Sequence, residues 1–225
     1  MNKSQSQQEV YKIILVGDQG VGKSSILLRY TKDLFNREYN VTIGLEFASK
    51  KVTVYDYALT LQIWDTVMMQ YFKFLGRLRS IQKNSAAIII VFKLTSRDSF
   101  QSVSGWARDI QENSDQGVVI SLVGNMTDLE AERSVSNEEG KQKAQEINSL
   151  YFETSAAIGK NIDDIFINTL EKVTKQINPI RTDCEQNVRD SIHLSQKYQS
   201  QPKINQENNG GIKPKQTESP KKGCC

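Results

Sequence analysis

Apolar residues gather in runs at 10–16, 52–55, 59–64, 86–92 and 118–123, with a short sixth at 150–152. Their length and their content of β-branched residues mark them as strands. The run at 86–92 is apolar throughout instead of alternating, which is the pattern of a mainly parallel sheet covered by helices on both faces. Helical spacing lies between the runs. Ile26, Leu27, Leu28 and Tyr30 follow the first, and Phe100, Val103, Trp106, Ala107 and Ile110 follow the fourth at three- and four-residue intervals. Ser136 to Glu139 reads as a capping box, and Asn161 as the cap of a helix with Ile162, Ile165, Phe166, Leu170 and Val173 on its apolar face. The prediction is an α/β domain with a mainly parallel six-stranded sheet flanked by helices. Ligands of such sheets bind at the carboxyl ends of the strands.

Composition sets the limits of that domain. All four prolines (Pro179, Pro202, Pro214, Pro220) lie beyond residue 177, in a stretch crowded with Gln, Asn, Ser and Lys and poor in large apolar residues. Such a stretch cannot bury enough surface to fold alone. The expected division is a loose polar leader over 1–9, one compact domain over 10–177 and a disordered tail over 178–225. Of the 29 Lys and Arg, 8 fall in the tail, and of the 26 Asp and Glu, 5 do, so the body holds 21 of each and the excess of +3 resides in the tail. A neutral body argues against a nucleic-acid partner, which calls for a basic face. No apolar run approaches the roughly 20 residues of a membrane helix, and the reading is of a cytosolic chain. The cysteines, Cys184, Cys224 and Cys225, all lie in the tail, so neither disulfides nor a metal cluster is expected to hold the domain together.

The segment Gly17-Asp18-Gln19-Gly20-Val21-Gly22-Lys23-Ser24 follows the first strand directly and has the spacing G-x-x-x-x-G-K-[ST]. Its glycines let backbone N–H groups wrap a β-phosphate, Lys23 reaches the β and γ oxygens, and the Ser24 hydroxyl can ligate Mg²⁺. The following helix aims the positive end of its dipole at the same phosphates. Strand, loop and helix together specify a P-loop NTPase-type fold and a bound nucleoside triphosphate. Further on, Gly124-Asn125-Met126-Thr127-Asp128 emerges at the end of the run 118–123. A carboxylate there accepts two N–H donors from a guanine edge and would meet an acceptor on adenine.

Together with Thr42-Ile43-Gly44-Leu45-Glu46-Phe47, Trp64-Asp65-Thr66 and Glu153-Thr154-Ser155-Ala156, these motifs resemble the Rab family of Ras-superfamily small GTPases over about residues 10–177. The resemblance implies GTP or GDP and Mg²⁺ as ligands. The nucleotide contacts it implies are Gly17, Gly20, Val21, Gly22, Lys23, Ser24 and Ser25, with Phe35 at the guanine edge, Asn125 and Asp128 on the base, and the Ser155–Ala156 backbone at the guanine oxygen. Ser24, Thr42 and Asp65 would hold the metal. The plainer alternatives are that Phe35 belongs to the core and Thr42 to a strand. Cys224-Cys225 is similar to the Rab signal for two prenyl groups, the alternative being a pair of reduced surface cysteines. Two lipid chains, with Lys213, Lys215, Lys221 and Lys222 attracting anionic lipid, would tether the chain to a membrane. The partners implied are exchange, escort and effector proteins, and the place is the cytoplasmic face of an intracellular membrane, with a cytosolic pool.

The chain also leaves the family pattern. Where a Rab continues Ala-Gly-Gln-Glu after Trp64-Asp65-Thr66, this sequence reads Val67-Met68-Met69-Gln70. Family members use that glycine N–H on the γ-phosphate and that glutamine to orient the attacking water. A thioether positions water poorly, and Gln70, one place late, is the remaining candidate for the task. Met126 and Ala157 each replace a base-site lysine, and Gln19 and Lys93 are milder departures. The expected function is a Rab-like GTP-binding switch of vesicle traffic with weak intrinsic hydrolysis. The alternatives are a pseudo-GTPase serving as a membrane-tethered effector-binding module and, from a third class, an ATP-using phosphotransferase.

Overall fold

The computed structural model describes residues 9–36, 45–54, 57–66 and 82–177, with backbone alone at 45, 46, 57 and 66. The leader, the residues between these segments and the tail from 178 lie outside the described residues, and with them the expected division into domain and tail.

Among the described residues six strands form one sheet: β1 Val10–Val16, β2 Leu45–Val54, β3 Tyr57–Thr66, β4 Ala87–Lys93, β5 Val119–Asn125 and β6 Leu150–Glu153. Their spatial order is β2-β3-β1-β4-β5-β6. β1 pairs in parallel with both β3 and β4, β4 with β5 and β5 with β6, while β2 runs antiparallel to β3. The helices are α1 Lys23–Lys32, α2 Arg97–Gln101, α3 Val103–Asn113, α4 Asn137–Glu146 and α5 Ile162–Ile177. The predicted mainly parallel six-stranded α/β fold is the observed one. Chain direction across the sheet reverses at β1, which has β3 on one side and β4 on the other, so its carboxyl end opens into the crevice where α/β sheets bind ligands.

Alternate residues of β1 serve two cores. Ile13 and Leu15 pack with Ile26, Leu27 and Tyr30 of α1 and Ile165, Phe166 and Leu170 of α5. Ile14 and Val16 pack on the other face with Val103, Trp106 and Ile110 of α3 and Ala144 of α4. Both faces are covered, which explains why β4 carries no alternation and is buried from Ala87 to Phe92.

Three local predictions shift. β2 begins at Leu45, well before the apolar run at 52–55, because an antiparallel edge strand buries one face only: Val54 is buried and Ala48, Lys50 and Val52 half-buried, whereas Phe47, Ser49, Lys51 and Thr53 are exposed. The helical pattern of Phe100 to Ile110 divides at Ser102 into α2, whose cap is the Ser96 side chain accepting from the Ser99 N–H, and α3. Asn161 precedes α5 with a left-handed backbone (φ 57°), not the extended conformation of a capping residue, and its Nδ2 donates to the Glu153 carbonyl at 2.8 Å. The Ser136–Glu139 capping box forms with both reciprocal bonds.

Candidate functional site

The chain leaves β1 through a loop that only glycine can follow at two points. Gly17 has φ 137°, and a Cβ there would lie 2.1 Å from the Val91 carbonyl oxygen on β4. Gly22 has φ 95°, and its Cβ would lie 2.3 Å from Asn125 Nδ2. Both contacts are far inside van der Waals range, so neither point has room for a side chain. Gly22 is also the N-cap of α1; it makes no side-chain capping bond, and the first turn holds no acidic residue. An anion placed against that turn would meet the favourable end of the helix dipole.

Lys23 is folded under this loop. Its Nζ donates to the carbonyls of Gly17 (2.9 Å) and Asp18 (2.7 Å), and the residue is 4% exposed. Burial pushes its pKa down, and the nearby carboxylates of Asp65 and Asp18 oppose that shift. Asp18 is held in turn by α3, whose Trp106 Nε1 donates to Asp18 Oδ1 at 2.9 Å. The next residue completes a second corner: the Ser24 hydroxyl donates to Oδ2 of Asp65, a fully buried carboxylate near the end of β3. A hydroxyl and a carboxylate are the hard oxygen donors that suit Mg²⁺, and both belong to the set expected to hold it. Val21 is buried, and Gly20 and Ser25 are half-buried in the same turn.

At the far end of the crevice β5 ends in Asn125, 2% exposed. Its Nδ2 donates to the Val21 carbonyl at 3.0 Å, and its Oδ1 accepts from the Ala156 N–H at 3.3 Å and the Thr154 hydroxyl at 3.4 Å. One amide thus joins the phosphate loop to the loop after β6. Asp128 is exposed, and its Oδ1 accepts from the Ser155 hydroxyl at 2.5 Å. Of the backbone donors expected at a guanine oxygen, Ser155 gives its N–H to the Lys160 carbonyl at 3.2 Å and Ala156 to Asn125. Met126, in the place of a family lysine, has φ 71°. The backbone there takes a conformation uncommon for a side chain of its size.

Phe35 follows α1 and is half-buried against the core cluster that contains α1 and α5. Thr42, Gln70, Cys224 and Cys225 lie outside the described residues, as do Met68 and Met69. Two features escaped the sequence reading. One is the Asp18–Trp106 bond, since Trp106 carries only the signal of a core position. The other is the contact between two of the motifs, in which Phe47, 49% exposed on edge strand β2, sets its ring against that of Trp64 on β3 at 5.0 Å between centroids. No helix among the described residues is long and apolar enough to cross a membrane.

Comparison with known proteins bears on this arrangement. The family model described as "Ras family" matches residues 12–175. The chain is also similar to the Ras-related protein Rab-2B of Dictyostelium discoideum, at 38% identity over 175 residues, covering 78% of this chain and 86% of the relative.

Proposed function

The chain belongs to the Ras family of small GTPases and is Rab-like within it, and from that premise we propose that it is a GTP-binding switch of intracellular vesicle traffic whose own hydrolysis is weak. The observation that carries the reading is the meeting of phosphate and base elements on one side chain: Asn125 binds Val21 in the phosphate loop and Ala156 in the base loop. The nucleotide would lie along that line, with its phosphates against the first turn of α1 and the buried Lys23, and with its base against Asp128. Lys23, already dehydrated, can exchange its two carbonyl acceptors for phosphate oxygens and meet a charge of opposite sign in a low-dielectric site. Ser24 and Asp65, with Thr42 by family resemblance, would hold Mg²⁺, which supplies charge neutralisation at the phosphate oxygens.

Weak hydrolysis is inferred from Met68 and Met69, which stand where the family has its glycine and glutamine. A methionine can still donate a backbone N–H, but nothing in its side chain orients water, which leaves Gln70 as a displaced substitute. Attachment to the cytoplasmic face of a membrane through prenyl groups is inferred from Cys224 and Cys225. Exchange and escort proteins then follow as partners, and the exposed Phe47 beside Trp64 supports effector docking on the β2–β3 edge.

The test is the nucleotide extracted from purified protein, with Lys23→Ala as the blank. Bound GDP, absent from the blank, with slow single-turnover hydrolysis is the expected result. GTP alone would identify the non-hydrolysing module that the same methionines favour, and an empty site or competition by ATP would overturn the reading. Hydrolysis at an ordinary Rab rate, unchanged in Gln70→Ala, would remove the claim of weakness.

A further inference from the structure

We propose that Arg29 is a positioning residue for the base site, its guanidinium fixing the Ala156–Ala157 peptide so that the Ala157 N–H faces the carbonyl oxygen of a bound guanine. The inference rests on the guanine-nucleotide reading above. Arg29 stands on α1, the helix whose first turn serves the phosphates, and its side chain is 18% exposed. Its Nε donates to the Ala156 carbonyl at 2.9 Å and its Nη2 to the Ala157 carbonyl at 2.9 Å. Nη1 is tied back to α1 by the carbonyl and carboxylate of Asp33, at 3.1 and 3.0 Å. A single planar group thus braces two consecutive peptides of the base loop against the end of the helix.

The consequence follows from peptide geometry. In a trans peptide the carbonyl and the next N–H point to opposite sides, and the described residues contain no cis bond. With the Ala156 carbonyl drawn towards α1, the Ala157 N–H is turned away from it. The neighbouring donors are engaged: Ser155 N–H with the Lys160 carbonyl, Ala156 N–H with Asn125 Oδ1, and Ile158 N–H with the Ser155 hydroxyl at 3.3 Å. The Ala157 N–H has no acceptor among the described residues. Because position 157 is alanine, what it offers a ligand comes from the backbone, and the orientation of that backbone belongs to Arg29. The guanidinium bonds also polarise the peptide and strengthen its donor.

The experiment measures equilibrium affinity for three nucleotides: GDP, the diphosphate of 2-aminopurine riboside, which keeps the 2-amino group and lacks the carbonyl oxygen, and ADP. The full chain is compared with Arg29→Ala, Arg29→Gln and Arg29→Lys. Arg29→Ala should weaken GDP binding by about 3- to 10-fold, the worth of one neutral hydrogen bond, and leave binding of the 2-aminopurine nucleotide in place. Arg29→Lys and Arg29→Gln, which keep a donor without the fork, should fall between, and they carry the comparison if the alanine variant fails to fold. Equal losses for GDP and its analogue would show that Arg29 only supports the fold, and an unchanged GDP affinity would show that it does nothing for the base; either overturns the proposal. Wild-type protein that binds ADP as well as GDP would instead overturn the guanine reading, and the proposal with it.

Discussion

The two ends of the site are held by different means. At the phosphate end, backbone rests on backbone: Gly17 passes the Val91 carbonyl, Gly22 starts α1, and Lys23 folds back onto carbonyls five and six residues before it. At the base end the positions come from side chains reaching across the molecule. Asn125 reaches Val21 over 104 residues, and Arg29 reaches Ala156 over 127. The first end is dictated by a local rule about space, the second by the assembly of the whole sheet. A defect in the first should therefore be abrupt, and one in the second graded.

The largest expected effect follows from the local rule. In Gly17→Ala the new Cβ would meet a carbonyl oxygen of a central strand at 2.1 Å, with φ at 137°, and neither β4 nor the loop can move aside without breaking the sheet register at Ile90. A loss of about 3 kcal/mol or more, with no nucleotide retained, is expected from overpacking and backbone strain combined. Urea unfolding and nucleotide content measure it. A midpoint near that of the wild type would mean that the loop is softer than its contacts indicate and that the contrast between the two ends is wrong.

Asn125→Ala tests the joint between the ends. The substitution removes the donor to the Val21 carbonyl and the acceptor for the Ala156 N–H, leaving both backbone groups unpaired beside a buried site. A destabilisation of about 1–3 kcal/mol is expected, which is the cost of orphaned buried polar groups. Hydrogen exchange should quicken at residues 20–23 and at 154–157 together. Acceleration confined to 154–157 would show that the phosphate loop stands without the amide, and the two ends would then be independent.

The same difference decides what could be read from the chain in advance. Gly17 to Ser24 was complete as a motif because its physics is contained in eight consecutive residues. Asn125 and Asp128 were legible as the polar exit of an apolar strand, yet nothing local announced that Asn125 would bind Val21. Arg29 and Trp106 carried only the marks of an amphipathic helix and a core position, since their partners lie 127 and 88 residues away. In the fold, five strands came close to their observed bounds, and for β1, β4 and β5 the reason is that burial on both faces writes itself as an apolar run. The start of β2 stayed hidden because Glu46, Ser49, Lys50 and Lys51 suit an edge strand and break the run. Asn161 had the composition of a cap, but it follows directly on the bridge between Ser155 and Lys160 and takes a left-handed backbone.

The smallest expected effect concerns the ion pair that props the base end. Glu153 closes β6 immediately before Thr154, and its carboxylate accepts from Arg133 at 3.1 and 3.0 Å and from the Tyr151 hydroxyl at 2.9 Å. Burial alone would raise its pKa, but the bonds from Arg133, Asn137 and Tyr151 outweigh that and lower it from its ordinary 4.5. A carboxyl whose folded pKa is depressed contributes stability that is complete above the unfolded value and disappears as pH falls through the lower folded value. Glu139, held near 2 by Arg97 and its own capping bonds, titrates in the same acid range, so the wild-type slope alone does not isolate Glu153. The difference from Glu153→Gln does. Between pH 6 and pH 3 the wild type should lose more stability than the variant, and the acid-induced quickening of exchange at 154–157 should be larger in the wild type than in the variant. Parallel pH profiles for the two proteins, with equal quickening at 154–157, would show that the base end is held by its backbone as well.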